Sequence, residues 1–121
     1  MICETDTCDS EQSRQKTLAL KDSMELLSGK WKFCILLNLY NHSTMRFKDL
    51  QETAIGITPK VLSKELQDLE QNMLVTRTVN NTKPVTVSYE LTKHALEIKP
   101  VLEALINFGM RHREKIKAGM I

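Results

Sequence analysis

The stretch Gly56-Ile57-Thr58-Pro59-Lys60-Val61-Leu62-Ser63-Lys64-Glu65-Leu66-Gln67-Asp68-Leu69-Glu70-Gln71-Asn72-Met73, continuing into Leu74-Val75-Thr76-Arg77-Thr78-Val79, contains the change of period that decides the fold. Thr is a favourable helix N-cap and Pro suits the first helical position, so Thr58-Pro59 starts a helix that runs to about Asn72. On a wheel of 100° per residue, Val61, Leu62, Leu66, Leu69 and Met73 fall on one side, the expected core side. Lys60, Lys64, Gln67 and Gln71 lie opposite, flanked by Ser63, while Glu65, Asp68 and Glu70 fall on the flanks or nearer the core. From Leu74 the pattern turns β-rich. Asn80-Asn81-Thr82-Lys83-Pro84 is a turn cluster, and Val85 to Leu91 alternates cleanly. These features predict a β-hairpin with a five-residue loop.

Working outward, Arg46 to about Thr53 predicts a short helix with Phe47 and Leu50 facing inward. Before it, Trp31, Ile35, Leu36 and Leu39 mark a strongly apolar helix, with Cys34 read as a small core residue. Leu18, Leu20, Met24 and Leu27 mark an earlier helix that Gly29 can terminate. After the hairpin, Thr92 can cap a final helical region, which Pro100 divides into a short piece and a long terminal helix. The order is four helices, a hairpin and a long helix. That predicts a mainly α fold with a small β-hairpin (α+β): a winged helix-turn-helix with additional N- and C-terminal dimerisation helices. Residues 1–16 are polar and aperiodic and read as a mobile tail inside which the following helix can already begin, leaving 17–121 as one DNA-binding and dimerisation domain.

The 121 residues suffice for one domain, with 41% hydrophobic and 26% charged residues. No apolar run is long enough to span a bilayer, and no secretory signal is visible, so no membrane association and a cytoplasmic location are expected. Three cysteines with no C-x-x-C suggest neither a disulfide framework nor a zinc site. The net charge of +2 conceals an asymmetry. Glu4, Asp6, Asp9 and Glu11 make the first residues acidic, whereas Arg111, Arg113, Lys115 and Lys117 make the last ones basic. The chain carries no nucleophile elbow, P-loop, H-E-x-x-H or dinucleotide fingerprint, and its three histidines have no metal-ligand spacing, so neither an enzyme nor a metal or cofactor is expected.

The Thr58–Asn72 helix carries the chemistry. Cationic and amide side chains suit phosphates and base edges, which a carboxylate face would repel. Thr58, Lys60, Ser63, Lys64 and Gln67 are therefore the candidate groove contacts. Arg46 and Lys48 at the start of the preceding helix, and Asn81 and Lys83 at the hairpin tip, are candidate contacts to the duplex backbone. In the terminal helix, Val101, Leu102, Leu105, Ile106 and Gly109 belong to an apolar surface wider than one core-facing stripe requires. With Leu18, Leu20 and Met24 of the first helix, they are the candidate dimer interface. A homodimer on double-stranded DNA is the partner reading, with an unidentified small-molecule effector left open. The alternatives are a winged helix serving only as a protein-interaction module, and a thiol-based redox sensor using Cys3 or Cys8.

The chain resembles the HxlR family of winged-helix regulators, relatives of MarR-type repressors. The resemblance rests on Met24 to Trp31 (with Gly29-Lys30-Trp31), Arg46-Phe47-Lys48-Asp49-Leu50, Gly56 to Ser63, Leu66 to Glu70, Leu74 to Arg77, Val87 to Thr92, and Pro100-Val101-Leu102. It implies homodimers on near-palindromic operators, dimer contacts on the first and last helices, and regulation of its own or neighbouring genes. Two departures stand out. Some members sense oxidants through a cysteine at the start of the first helix, where this chain has Leu18, with Cys8 ten residues earlier. The hairpin carries Asn80 and Asn81 where members often have Tyr and extra Pro.

Overall fold

Thr58 does start a helix: its Oγ1 accepts a hydrogen bond from the Val61 N–H at 3.2 Å, and Pro59 takes the first helical position. The computed structural model containing it describes residues 10–119. The chain divides into two compact units, one up to Lys30 and one from Trp31 onward.

The first unit contains α1 (Glu11–Leu26). Ser10 caps it through the Ser13 N–H, and Glu11 places a carboxylate in the first turn, where the helix dipole favours it. The helix thus begins inside the stretch 1–16 read as a tail, because the Ser10 cap supplies a start that apolar periodicity does not register. Cys3 and Cys8 lie outside the described residues. No residue of α1 is buried, and Gly29 follows it at φ 99°, a conformation that favours glycine.

The second unit runs α2 (Lys32–His42), β1 (Thr44–Arg46), α3 (Phe47–Thr53), α4 (Pro59–Gln71), β2 (Val75–Asn80), β3 (Thr86–Leu91), a 3₁₀ turn (His94–Ile98) and α5 (Lys99–Gly119). The core is built from Ile35, Leu36 and Leu39 of α2, Leu50 of α3, Leu62, Leu66 and Leu69 of α4, and Leu74, all essentially inaccessible to solvent. Around them pack Met45, Tyr89, Ala95 and Leu102. Burial of this apolar surface is the dominant stabilising term.

The hairpin is part of a three-stranded antiparallel sheet in the order β1-β3-β2. Thr44, Met45 and Arg46 pair with Glu90, Tyr89 and Ser88. β1 is too short to show a period, and Met45 is buried opposite Tyr89 only because the chain returns there. In the hairpin Asn80 pairs with Thr86, so the five-residue loop is 81–85, one position later than the turn cluster suggests. The Asn80 side chain donates to Thr86 Oγ1 at 3.2 Å and to Ser88 Oγ at 3.3 Å, which commits it to the strand. The Lys83–Pro84 peptide is cis.

Four residues depart from the sequence expectation. Cys34 is exposed, because Lys32, Ile35, Leu36 and Leu39 make up the buried face of α2 and Cys34 falls opposite it at 100° per residue. Val61 and Met73 are also exposed, since Leu62, Leu66 and Leu69 suffice to fill the space beneath α4. Met73 adopts φ 61° as α4 ends: its N–H donates to the Glu70 carbonyl and the Leu74 N–H to the Leu69 carbonyl, a Schellman closure that swings the side chain outward. Leu102, expected at the dimer surface, is the buried residue of α5 and belongs to the chain's own core, where α5 packs on α2. Among the described residues, no helix is long and apolar enough to cross a membrane.

Candidate nucleic-acid interface

α4 packs on β2 and buries Leu62, Leu66 and Leu69, so the opposite side of its wheel looks outward. Lys60, Ser63, Lys64, Gln67 and Gln71 are all exposed there. Thr58 is exposed at the helix start, with its hydroxyl oxygen engaged as the cap. The first turn of α4 contains no acid. The N-terminal half of the helix therefore combines two lysines and two hydrogen-bonding side chains, a set complementary to phosphates and base edges.

The acids of α4 are held away from that face. Lys32, at the start of α2, is only 8% exposed. Its Nζ donates to Glu65 Oε1 and, at 3.4 Å, to Asp68 Oδ2, carboxylates three residues apart on one flank of α4. Burial by itself lowers the Lys32 pKa, but the hydrogen bond to Glu65 and the two carboxylate charges outweigh it and hold the ammonium above its usual 10.5. Two of the three acids on this helix are thus compensated from within the fold. Sequence reasoning does not single out Lys32, although its position one and two helical turns before Leu36 and Leu39 puts it on the apolar stripe of α2.

The other flank of α4 opens on a cleft of about 410 Å³ shared with the hairpin. Ser63, Gln67 and Glu70 line one wall, Arg77, Val87 and Tyr89 the other, with Phe47 and Leu66 also contributing to its lining. Arg77, an exposed cation absent from the sequence-derived set, stands opposite Tyr89 in the register. At the hairpin tip Asn81 and Lys83 are exposed, and Thr82 is tied back to the Pro84 carbonyl at 2.8 Å. Arg46 and Lys48 are exposed where α3 begins, and Asp49 accepts from the Arg46 N–H at 3.2 Å. The structure thus assembles α4, the hairpin and the start of α3 within one unit.

The apolar candidates lie on two helices, one in each unit. On α1, Leu18, Leu20 and Met24 are 59%, 51% and 65% exposed. On α5, Val101, Leu105 and Ile106 are roughly half exposed, and so are Phe108 and Ile116. Val101, Leu105, Phe108 and His112 follow a four-three-four spacing that makes one narrow stripe along the helix, and the Phe108 and His112 rings stack at 5.8 Å. Ile106 lies outside that stripe, and Gly109 is half-buried with open space where a Cβ would sit.

Residues 26–117 match the HxlR-like helix-turn-helix family. The HTH-type transcriptional regulator BH0655 of Halalkalibacterium halodurans is 36% identical over 91 residues, covering 75% of this chain and 80% of the relative. YtcD of Bacillus subtilis, also an HTH-type transcriptional regulator, is 28% identical over 105 residues, covering 87% and 82%. A crystal structure of ytcD superposes with a TM-score of 0.74 at 32% identity, covering 78% of this chain and 96% of that one. The reduced form of the transcriptional regulator YodB from B. subtilis gives a TM-score of 0.67 at 31% identity, covering 74% and 87%.

Proposed function

Because the chain belongs to the HxlR-like helix-turn-helix family and is a transcriptional regulator of that type, we propose that it binds operator DNA sequence-specifically as a homodimer. The observation that carries this reading is the outer face of α4: Lys60, Ser63, Lys64 and Gln67 stand exposed together while Glu65 and Asp68 are bound by Lys32 on the flank. In this reading α4 enters the major groove, with Thr58 and the first turn nearest the duplex. Asn81 and Lys83 reach the backbone or the adjacent minor groove, and Arg46 and Lys48 hold the phosphates.

The unpartnered apolar residues of α1 and α5 support the second half of the proposal. A second copy covering Leu18, Leu20, Met24, Val101, Leu105 and Ile106 would bring two recognition helices to half-sites about 34 Å apart on a near-palindrome. The test is Lys64→Glu. A carboxylate at the centre of the outer face reverses an attraction to phosphate and removes a donor, each base contact being worth about 1–3 kcal/mol. A gel-shift titration on a duplex selected by the wild-type protein is expected to show at least about a tenfold loss of affinity. The variant's circular dichroism and mass in solution should stay unchanged. Unaltered affinity removes α4 from the interface, and wild-type protein that retains no duplex at low salt leaves the protein-interaction reading.

A further inference from the structure

Resting on the DNA-binding reading, we propose that Lys32 is a positioning residue for base recognition: its ammonium grips Glu65 and Asp68 from the N-terminus of α2 and so fixes the roll of α4 about its own axis.

Three observations converge on this role. Lys32 is the buried charged residue among those described, and a lysine is rarely taken out of water without a partner. Both of its carboxylate partners lie on α4, on the flank between the core leucines and the exposed DNA face. The opposite flank borders the open cleft toward the hairpin, so it supplies less packing to resist rotation. Leu62, Leu66 and Leu69 fill the space under the helix, but apolar contact is non-directional. The paired hydrogen bonds to Lys32 are directional and anchor two points a helical turn apart.

The consequence falls on specificity. With side chains an α-helix is about 10–12 Å across, so a roll of roughly 10° moves the tips of the outer residues by about 1 Å. That exceeds the tolerance of a hydrogen bond to a base edge, whose useful range is about 0.5 Å. A lysine facing phosphate behaves as a point charge and tolerates such a shift. Loosening the clamp should therefore erode discrimination between sequences more than attraction to duplex in general.

The experiment compares the full-length protein with Lys32→Met/Glu65→Gln/Asp68→Asn, which removes the clamp without leaving a buried unpaired charge, and with Lys32→Arg, which keeps the charge. Each is titrated against the duplex that the wild type selects from a random library and against a random duplex of equal length, with melting curves confirming the fold. The neutral triple variant is expected to bind random duplex as tightly as wild type or tighter, and to lose at least about tenfold in the selected-to-random ratio. Lys32→Arg should keep that ratio within about threefold. A triple variant whose ratio stays within about threefold of wild type, or which weakens on both duplexes alike, reduces Lys32 to a structural residue and overturns the proposal. If the triple variant does not fold, Glu65→Gln alone decides: a ratio down by at least about threefold supports positioning, and an unchanged ratio overturns it. A wild-type protein that selects no sequence sinks the DNA reading itself, a result separable from any of these.

Discussion

Lys32 carries a charge into a place where desolvation works against it, and the two carboxylates of α4 reverse the outcome. Its folded-state pKa lies above 10.5, so its contribution to stability is complete below that value and is lost as pH rises through the raised one. Thermal melting of wild type and of the neutral triple variant should differ by a constant amount from neutral pH to about 10.5, then converge at higher pH; a gap that widens above it contradicts the assignment. Cys8 stands ten residues before Leu18, the position at which the family's oxidant-sensing cysteine would fall. Cys8→Ser is accordingly expected to leave DNA binding, and any response of that binding to mild oxidant, as in wild type. Release of DNA by diamide in the wild type but not in the variant would establish Cys8 as a sensor.

Each end of α4 is set by local chemistry. Thr58 closes the first turn at a cost-free position for Pro59, and both are legible in the sequence, because a cap and its target lie three residues apart. The other end is strained: Met73 holds a left-handed backbone that glycine adopts without penalty. Its side chain is exposed, so little packing is at stake. Met73→Gly should therefore be neutral or stabilise by up to about 1 kcal/mol after the entropy of the unfolded glycine is counted, read as a higher denaturation midpoint with an unchanged slope. A loss of more than about 1 kcal/mol would mean that the methionine packs in the working assembly. β1 could not be found in this way, since three residues carry no period and their pairing partner is β3.

For the molecule as a whole, the apolar stripe on α5 is a feature that one chain leaves unsatisfied. Leu102 occupies the interior, while Val101, Leu105 and Phe108 stay on the exposed stripe. The protein is expected to run as a homodimer of twice 13.9 kDa at micromolar concentration. Leu105→Glu, in the centre of the stripe, should convert it to monomer and weaken operator binding by at least about a hundredfold, because both half-sites are then engaged independently. Light scattering behind a sizing column measures both states. A wild-type monomer refutes the dimer and the palindrome together, and a dimeric Leu105→Glu moves the interface elsewhere.

The α4 cap, its cationic outer face and the two hairpin strands to within a residue depend on residues within one or two turns of each other, so periodicity and turn chemistry suffice to place them, whereas the start of α1 and the short β1 carry no such signal. The same local information ranks Val61, Met73 and Leu102 by polarity alone, and it misplaces all three. Which apolar side chains are enclosed depends on how much room the neighbouring elements leave, and on α5 that room extends to Leu102 and not to Leu105. The pairing of Lys32 with Glu65 and Asp68, 33 and 36 residues away, is likewise a product of the packed fold. An amphipathic pattern records that a charge sits on an apolar stripe, but only chain packing brings in the opposite charges that make its burial tolerable.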